Sequence, residues 1–219
     1  MEAVCLKLIN LSISASWLVL AILVLRLVFR KAPKWIVCLL WGLVGLRLVC
    51  PVSIESALSL IPSAQTLPPE ILYTATPQID SGIQAINSMV NPVLGQSMAP
   101  AQGASANPTQ IWSLILAWVW AAGMVVMALY ALVSDWLIRR RVATATLLRE
   151  NIKQSERVST PFVLGIFRPV IYLPYHLAEE DLAYVVAHER AHIGRRDHWW
   201  KPLGFALLCV YWFNPLLWL

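Results

Sequence analysis

IWSLILAWVWAAGMVVMALYALV, residues 111–133, runs for 23 positions without a charged side chain. At a rise of about 1.5 Å per residue, a helix of that length crosses the roughly 30 Å hydrocarbon core of a bilayer. Three further apolar stretches flank it. Residues 8–25 are long enough to span, residues 35–52 just reach, and residues 203–219 begin a fourth run after Lys201 and Pro202. The whole chain of 219 residues is 58% hydrophobic and 13% charged, with eleven Trp, which excludes an ordinary soluble domain. The expected fold is mainly α: a multi-span helical membrane protein of four spans, carrying a small α+β subdomain in its one polar stretch of useful size.

Basic residues set the expected orientation. Arg26, Arg30, Lys31 and Lys34 fill the first connection and Arg139, Arg140 and Arg141 follow the third span, whereas 53–110 contains no Lys or Arg. Because those charges follow the first apolar run instead of preceding it, the run reads as a retained helix with its N-terminus outside, not as a signal peptide. The net charge of +5 comes from residues beside spans, so a positive-inside bias explains it and no direct nucleic-acid partner is called for. The chain then divides into a pair of spans with a basic turn (1–52), an outer Pro-rich loop (53–110), the third span (111–133), a cytoplasmic region (134–201) and the start of a fourth span (202–219).

The outer loop is rich in Pro, Ser, Ala and Gln and is expected to bury little, with 54–61 lying as amphipathic turns on the membrane. It reads either as a contact surface for an external sensor or as a plain connector. Cys5, Cys38, Cys50 and Cys209 sit within or at the ends of apolar runs without metal-type spacing and read as packing residues, a Cys5 to Cys50 disulfide being the one alternative. Arg47 inside the second span is expected to snorkel or to pair within the bundle. Trp199, Trp200, Trp212 and Trp218 read as interface anchors.

In the cytoplasmic region a helical extension through Arg141 to Arg149 should give way to short β-prone runs at Arg157 and Val158, 162–164 and 170–173, punctuated by Gly165, Pro161, Pro169 and Pro174. A helix follows, with Glu179, Glu180 and Asp181 at its positive end. On it lies His188-Glu189-Arg190-Ala191-His192. Side chains four apart on a helix share a face, so the two imidazoles converge on one ion with Glu189 beside them. Zinc accepts neutral nitrogen donors at about 2.0–2.1 Å and, with a position left open, activates water, for which Glu189 is the general base. The alternative is a helix surface that spells the motif by chance. An edge strand beside this helix can align an extended substrate, or serve as scaffold only.

Residues 160–174 (TPFVLGIFRPVIYLP), the His188 to His192 motif, Arg196-Asp197-His198 and Trp212-Phe213-Asn214-Pro215 occur in an order that resembles the BlaR/MecR-type antirepressor family of bacterial membrane zinc metallopeptidases. The resemblance covers essentially the whole chain. It implies a sensor-transducer in which an outside signal such as a β-lactam activates cleavage of a cytoplasmic protein, leading to loss of a transcriptional repressor. It also implies His188 and His192 as Zn2+ ligands and Glu189 as general base, within the cell membrane and at its cytoplasmic face. The family's third ligand, a glutamate, is expected downstream of Leu219, and its penicillin-binding domain with a Ser-x-x-Lys nucleophile has no counterpart here, so a fragment or a second subunit is expected to complete the assembly. His198 is the internal alternative as third ligand, ten residues after His188, although Gly194 stands one place earlier than the metzincin pattern requires. Asp197 either orients a ligand histidine or is a helix-end charge. His176 reads as a surface residue. The rival functions are a catalytically incomplete membrane sensor or scaffold and a housekeeping membrane protease, the latter disfavoured by the charges around the motif.

Overall fold

The computed structural model describes residues 2–29, 33–50, 66–74, 76–99 and 107–219. The expected turns at 54–61, and Arg30 and Lys31 of the first connection, lie outside the described residues. Among the described residues six α-helices and four short strands run in the order α1 (Glu2–Val28), α2 (Lys34–Val49), α3 (Gln84–Ser97), α4 (Pro108–Arg141), β1 (Thr146–Arg149), β2 (Ile152–Ser155), β3 (Phe162–Leu164), β4 (Val170–Pro174), α5 (Glu179–Gly194) and α6 (Asp197–Val210). They form two compact units, one of 1–124 with 210–219, the other of 125–209.

Among the described residues two helices are long and apolar enough to cross a membrane, Ala3–Val28 and Pro108–Arg141, while Trp35–Val49 is a shorter apolar helix. Of α4 only Ala117 is buried, and Leu116, Trp118, Val126, Leu132 and Val133 are all more than half exposed. Apolar surface that extensive matches a lipid-facing helix, not the core of a water-soluble domain.

The expected fourth span is not one helix. Its helical part begins earlier, at Asp197, passes through Pro202 and stops at Val210, and a turn then leads into a short 3-10 helix, Pro215–Trp218. Pro215 disfavours helical backbone at Asn214, and polar side chains complete the break. Asn214, 5% exposed, accepts the Leu216 N–H at 3.0 Å through its own carbonyl oxygen. Its Nδ2 donates to Ser12 Oγ and Ser16 Oγ, each at 2.8 Å. Tyr211 donates its hydroxyl to the Leu48 carbonyl at 2.7 Å, Trp120 donates its indole N–H to the Val210 carbonyl at 2.8 Å, and Trp212 donates to the Trp120 carbonyl at 3.1 Å.

This terminal segment closes the first unit's core. Leu11, Ala15, Val19 and Ile22 recur at three- and four-residue spacing along α1 and pack on Val44 and Leu48 of α2 and on Tyr211. All four cysteines are free. Arg47 is in the last turn of α2. Within residues 53–110 the structure contains a helix that composition did not suggest. Asn87 and Asn91, one turn apart on α3, accept the Ser81 and Ile79 backbone N–H groups at 2.9 Å each and tie the helix to the preceding chain, despite Pro92 within it.

In the second unit α4 ends at Arg141 and does not extend toward Arg149. Val142 turns inward, 6% exposed, against Val158 and Tyr172, so burial overrides helix continuation. The first strand pair is β1 with β2, and Arg157 and Val158 lie in the following turn instead of forming a strand. Lys153 and Gln154 hide β2 from a hydrophobic pattern; it forms because it pairs parallel with β4. The sheet order is β1-β2-β4-β3, with β3 antiparallel to β4 and at one edge. Alternation along β4 sends Ile171 and Leu173 to Leu182, Val185, Val186 and Ile193 of α5, and Tyr172 to Phe162 and Val158 on the other face. Fully burying each such aliphatic side chain stabilises by about 1.5–3 kcal/mol, which fixes α5 on the sheet. Gly165 opens the β3–β4 connection at φ 110°, where a Cβ would lie 2.5 Å from the Arg168 carbonyl oxygen.

Gly123 offers the sharpest test of the first unit, because a Cβ there would come within 2.1 Å of the Trp212 indole. Gly123→Ala should displace that ring, break its bond to Trp120 and destabilise the protein by about 1–3 kcal/mol. Thermal unfolding in detergent should register the loss, and Trp212→Leu in the same chain should recover part of it.

Candidate metal centre

His188, Glu189 and His192 all lie on α5, and Asp197 and His198 open α6. The two helices meet in a tight corner. The Arg195 N–H bonds to the Ala191 carbonyl at 3.1 Å, and Arg196 takes a left-handed conformation at φ 59°, which ends α5 and swings the chain back. That reversal puts the Asp197 carboxylate against His192, with Oδ2 2.5 Å from Nδ1. The metzincin pattern makes its turn with a glycine; here Arg196, a non-glycine residue, makes the reversal.

His192 Nδ1 also lies 3.1 Å from an Arg195 guanidinium nitrogen, but one ring nitrogen cannot donate to Asp197 and accept from Arg195 together. The carboxylate contact is the shorter and pairs an N–H with a charged acceptor, so Nδ1 carries the proton and Arg195 acts as a 3.7 Å ion-pair partner of Asp197. Nε2 of His192 is then a free lone pair. It sits 3.3 Å from Nε2 of His188, the rings nearly perpendicular at 81°. Two nitrogen donors about 2.05 Å from one tetrahedral ion are separated by about 3.3 Å, so the pair fits a shared zinc.

The hydrogen bond with His192 holds the Asp197 carboxyl below its ordinary pKa, opposed by a smaller effect of burial and reinforced by Arg195 and Lys201. Asp197 therefore stays ionised at any pH near neutrality and keeps the His192 ring oriented. Lys201 is one turn beyond Asp197 on α6, an i to i+4 spacing that is present in the sequence itself.

A cavity of about 260 Å³ opens in front of the motif, with Glu189 and His192 on one side and Pro161, Phe162 and Val163 of the β3 edge on the other. His198 and Lys201 close it. His198 Nδ1 is buried without a hydrogen-bond partner. Among the described residues no group of three or more His, Cys, Asp and Glu side chains is placed to hold a metal ion. His176 lies exposed in the turn between β4 and α5.

A family model described as the BlaR1 peptidase M56 matches residues 6–219. The Regulatory protein BlaR1 of Bacillus licheniformis is 28% identical over 166 residues, which takes in 65% of this chain. The chain covers only 27% of that relative's length.

Removing the Asp197 carboxylate tests its orienting role directly. Asp197→Asn should weaken zinc binding about 10–100-fold, the usual cost of losing a partner behind a ligand histidine. His188→Ala with His192→Ala should abolish it; metal titration monitored by a zinc-responsive dye, with total zinc measured on the purified protein, separates the two degrees of loss.

Proposed function

Because this chain belongs to the BlaR1 peptidase M56 family, whose members are membrane metallopeptidases of a signalling system, we propose that it is the zinc endopeptidase part of an antirepressor system. In this reading His188 and His192 hold Zn2+, Glu189 is the general base and Asp197 orients His192. The observation that carries it is the 3.3 Å approach of the two histidine Nε2 atoms, with the far side of His192 tied to a carboxylate.

Zinc, when bound, acts as a Lewis acid and lowers the pKa of water. Glu189 takes a proton from the attacking water and delivers it to the nitrogen of the departing amine, so the peptide bond breaks without expelling an amide anion. The β3 edge faces the same cavity, and an extended substrate pairing with its free backbone groups would lay its scissile bond across the motif. The substrate is a cytoplasmic protein, a transcriptional repressor in the family pattern, and the inducing signal comes from outside, as a β-lactam does. A catalytically incomplete sensor is the second reading. It draws on the lack of a third metal-binding side chain beside the two histidines among the described residues, for which the family pattern offers a glutamate downstream of Leu219.

The charge distribution supports an N-terminus outside, 53–110 outside and 134–201 in the cytoplasm. A membrane-impermeant thiol reagent applied to cells should therefore label a cysteine placed at Ser97 and spare one placed at Arg168; the reverse pattern overturns the topology.

In the full-length protein, Glu189→Gln should keep its zinc and lose about 10²–10⁴-fold in cleavage rate, since an amide cannot accept the proton. Cleavage of the repressor followed by gel, beside metal content, checks both halves. Undiminished cleavage would leave the sensor reading in its place.

A further inference from the structure

Phe167, at the tip of the β3–β4 connection, is 83% exposed, the most of any large hydrophobic side chain described, and Ile166 beside it is 41% exposed. Phe167 is nevertheless held in place. Its ring meets Trp199 edge to face with centroids 5.5 Å apart, Gly165 allows the tight turn before it at φ 110°, and Pro169 restricts the backbone after it. Trp200, 64% exposed, follows on α6. Pro169, Arg196, Trp199, Trp200 and Leu203 line an open, mostly apolar cavity of about 550 Å³, and Arg196 and Arg168, the residue before Pro169, are both exposed.

The helices that flank the sheet say what covers this surface. Tyr130 of α4 and Phe205 of α6 lie with ring centroids 6.5 Å apart, inside the apolar part of each helix. Counting from that contact toward the sheet, Trp136 is six residues along α4 and Trp199 six residues back along α6, each about 9 Å on. Both tryptophans thus lie toward the sheet end of their own helices, the same helical rise from the ring contact, with the Arg140 guanidinium 5.1 Å over the Trp136 ring. Tryptophan and arginine at the end of a lipid-length apolar helix, with charge beyond, mark a membrane interface. Phe167 touches the second of these tryptophans, Trp199.

We propose that Ile166 and Phe167 form a wedge that enters the headgroup region of an anionic bilayer, with Arg168 and Arg196 contacting lipid phosphates. The β3 edge lies directly before the wedge in the chain, so the wedge would hold the mouth of the candidate metal centre at the membrane surface. The inference rests on the chain being a membrane protein and not on its peptidase activity, and its readout needs no catalysis.

Phe167 replaced by p-benzoylphenylalanine tests it, because so exposed a position tolerates the larger ring. The full chain is placed in nanodiscs of equal phosphatidylglycerol and phosphatidylcholine, irradiated, and its adducts identified by mass spectrometry. The same probe at Leu147, 66% exposed on β1, is the comparison. Position 167 should yield lipid adducts and position 147 should not, with phosphatidylglycerol enriched about fivefold, the factor that one basic residue at an anionic surface contributes. No more lipid at 167 than at 147, or adducts to protein in place of lipid, would overturn the wedge. Adducts that merely follow bulk lipid composition would overturn its preference for anionic headgroups.

Discussion

The 2.5 Å contact between His192 Nδ1 and Asp197 Oδ2 ties the end of one helix to the start of the next, and the candidate site depends on it. It requires α5 to stop within one turn of the motif and the chain to reverse at Arg196, a non-glycine residue in left-handed backbone. Such a conformation costs roughly 1–2 kcal/mol, and the charge-assisted bond formed on its far side offsets that cost. With Nδ1 so engaged, the tautomer of His192 is decided and its Nε2 lone pair points toward His188. The site's electrostatics follow from the same contact, since Arg195 and Lys201 gather around an aspartate that remains charged.

A second constraint governs the first unit. Apolar helices packed against one another have little directional preference, so their register is set by the few polar groups that must find partners away from water. Asn214 meets Ser12 and Ser16, Tyr211 meets the Leu48 carbonyl, and the Trp120 and Trp212 indoles each reach a backbone carbonyl. Gly123 leaves the room that the Trp212 ring fills. The segment after α6 is thereby locked by side chains that sequence reading assigned to a plain span or to the membrane interface.

The sheet is small, yet it decides which surface the motif faces. One side of β4 carries the α5 contacts, and β3 is left at an edge with Phe162 and Val163 lining the cavity in front of Glu189. Moving the strand register by one residue would send Ile171 and Leu173 to the opposite face and detach the helix.

Membrane character, the helix at 179–194 and the histidine pair were legible from residues 8–25, 111–133 and 188–192 because each depends on local geometry: an apolar run long enough to span, and side chains four apart on one helical face. The resemblance placed the chain in its family for the same reason, through short contiguous motifs. The break at Val210, the stop at Arg141, the strand at 152–155 and the helix at 84–97 were not legible, since a local reading favoured a different outcome at each. Only the tertiary structure decided them. Asn214 finds Ser12 across 202 positions of chain, Val142 finds Tyr172, Ile152 finds Ile171, and Asn91 finds the Ile79 backbone. Burial and hydrogen bonding between residues so placed outweigh local propensity by a few kcal/mol in total, and no periodicity in the sequence carries that information.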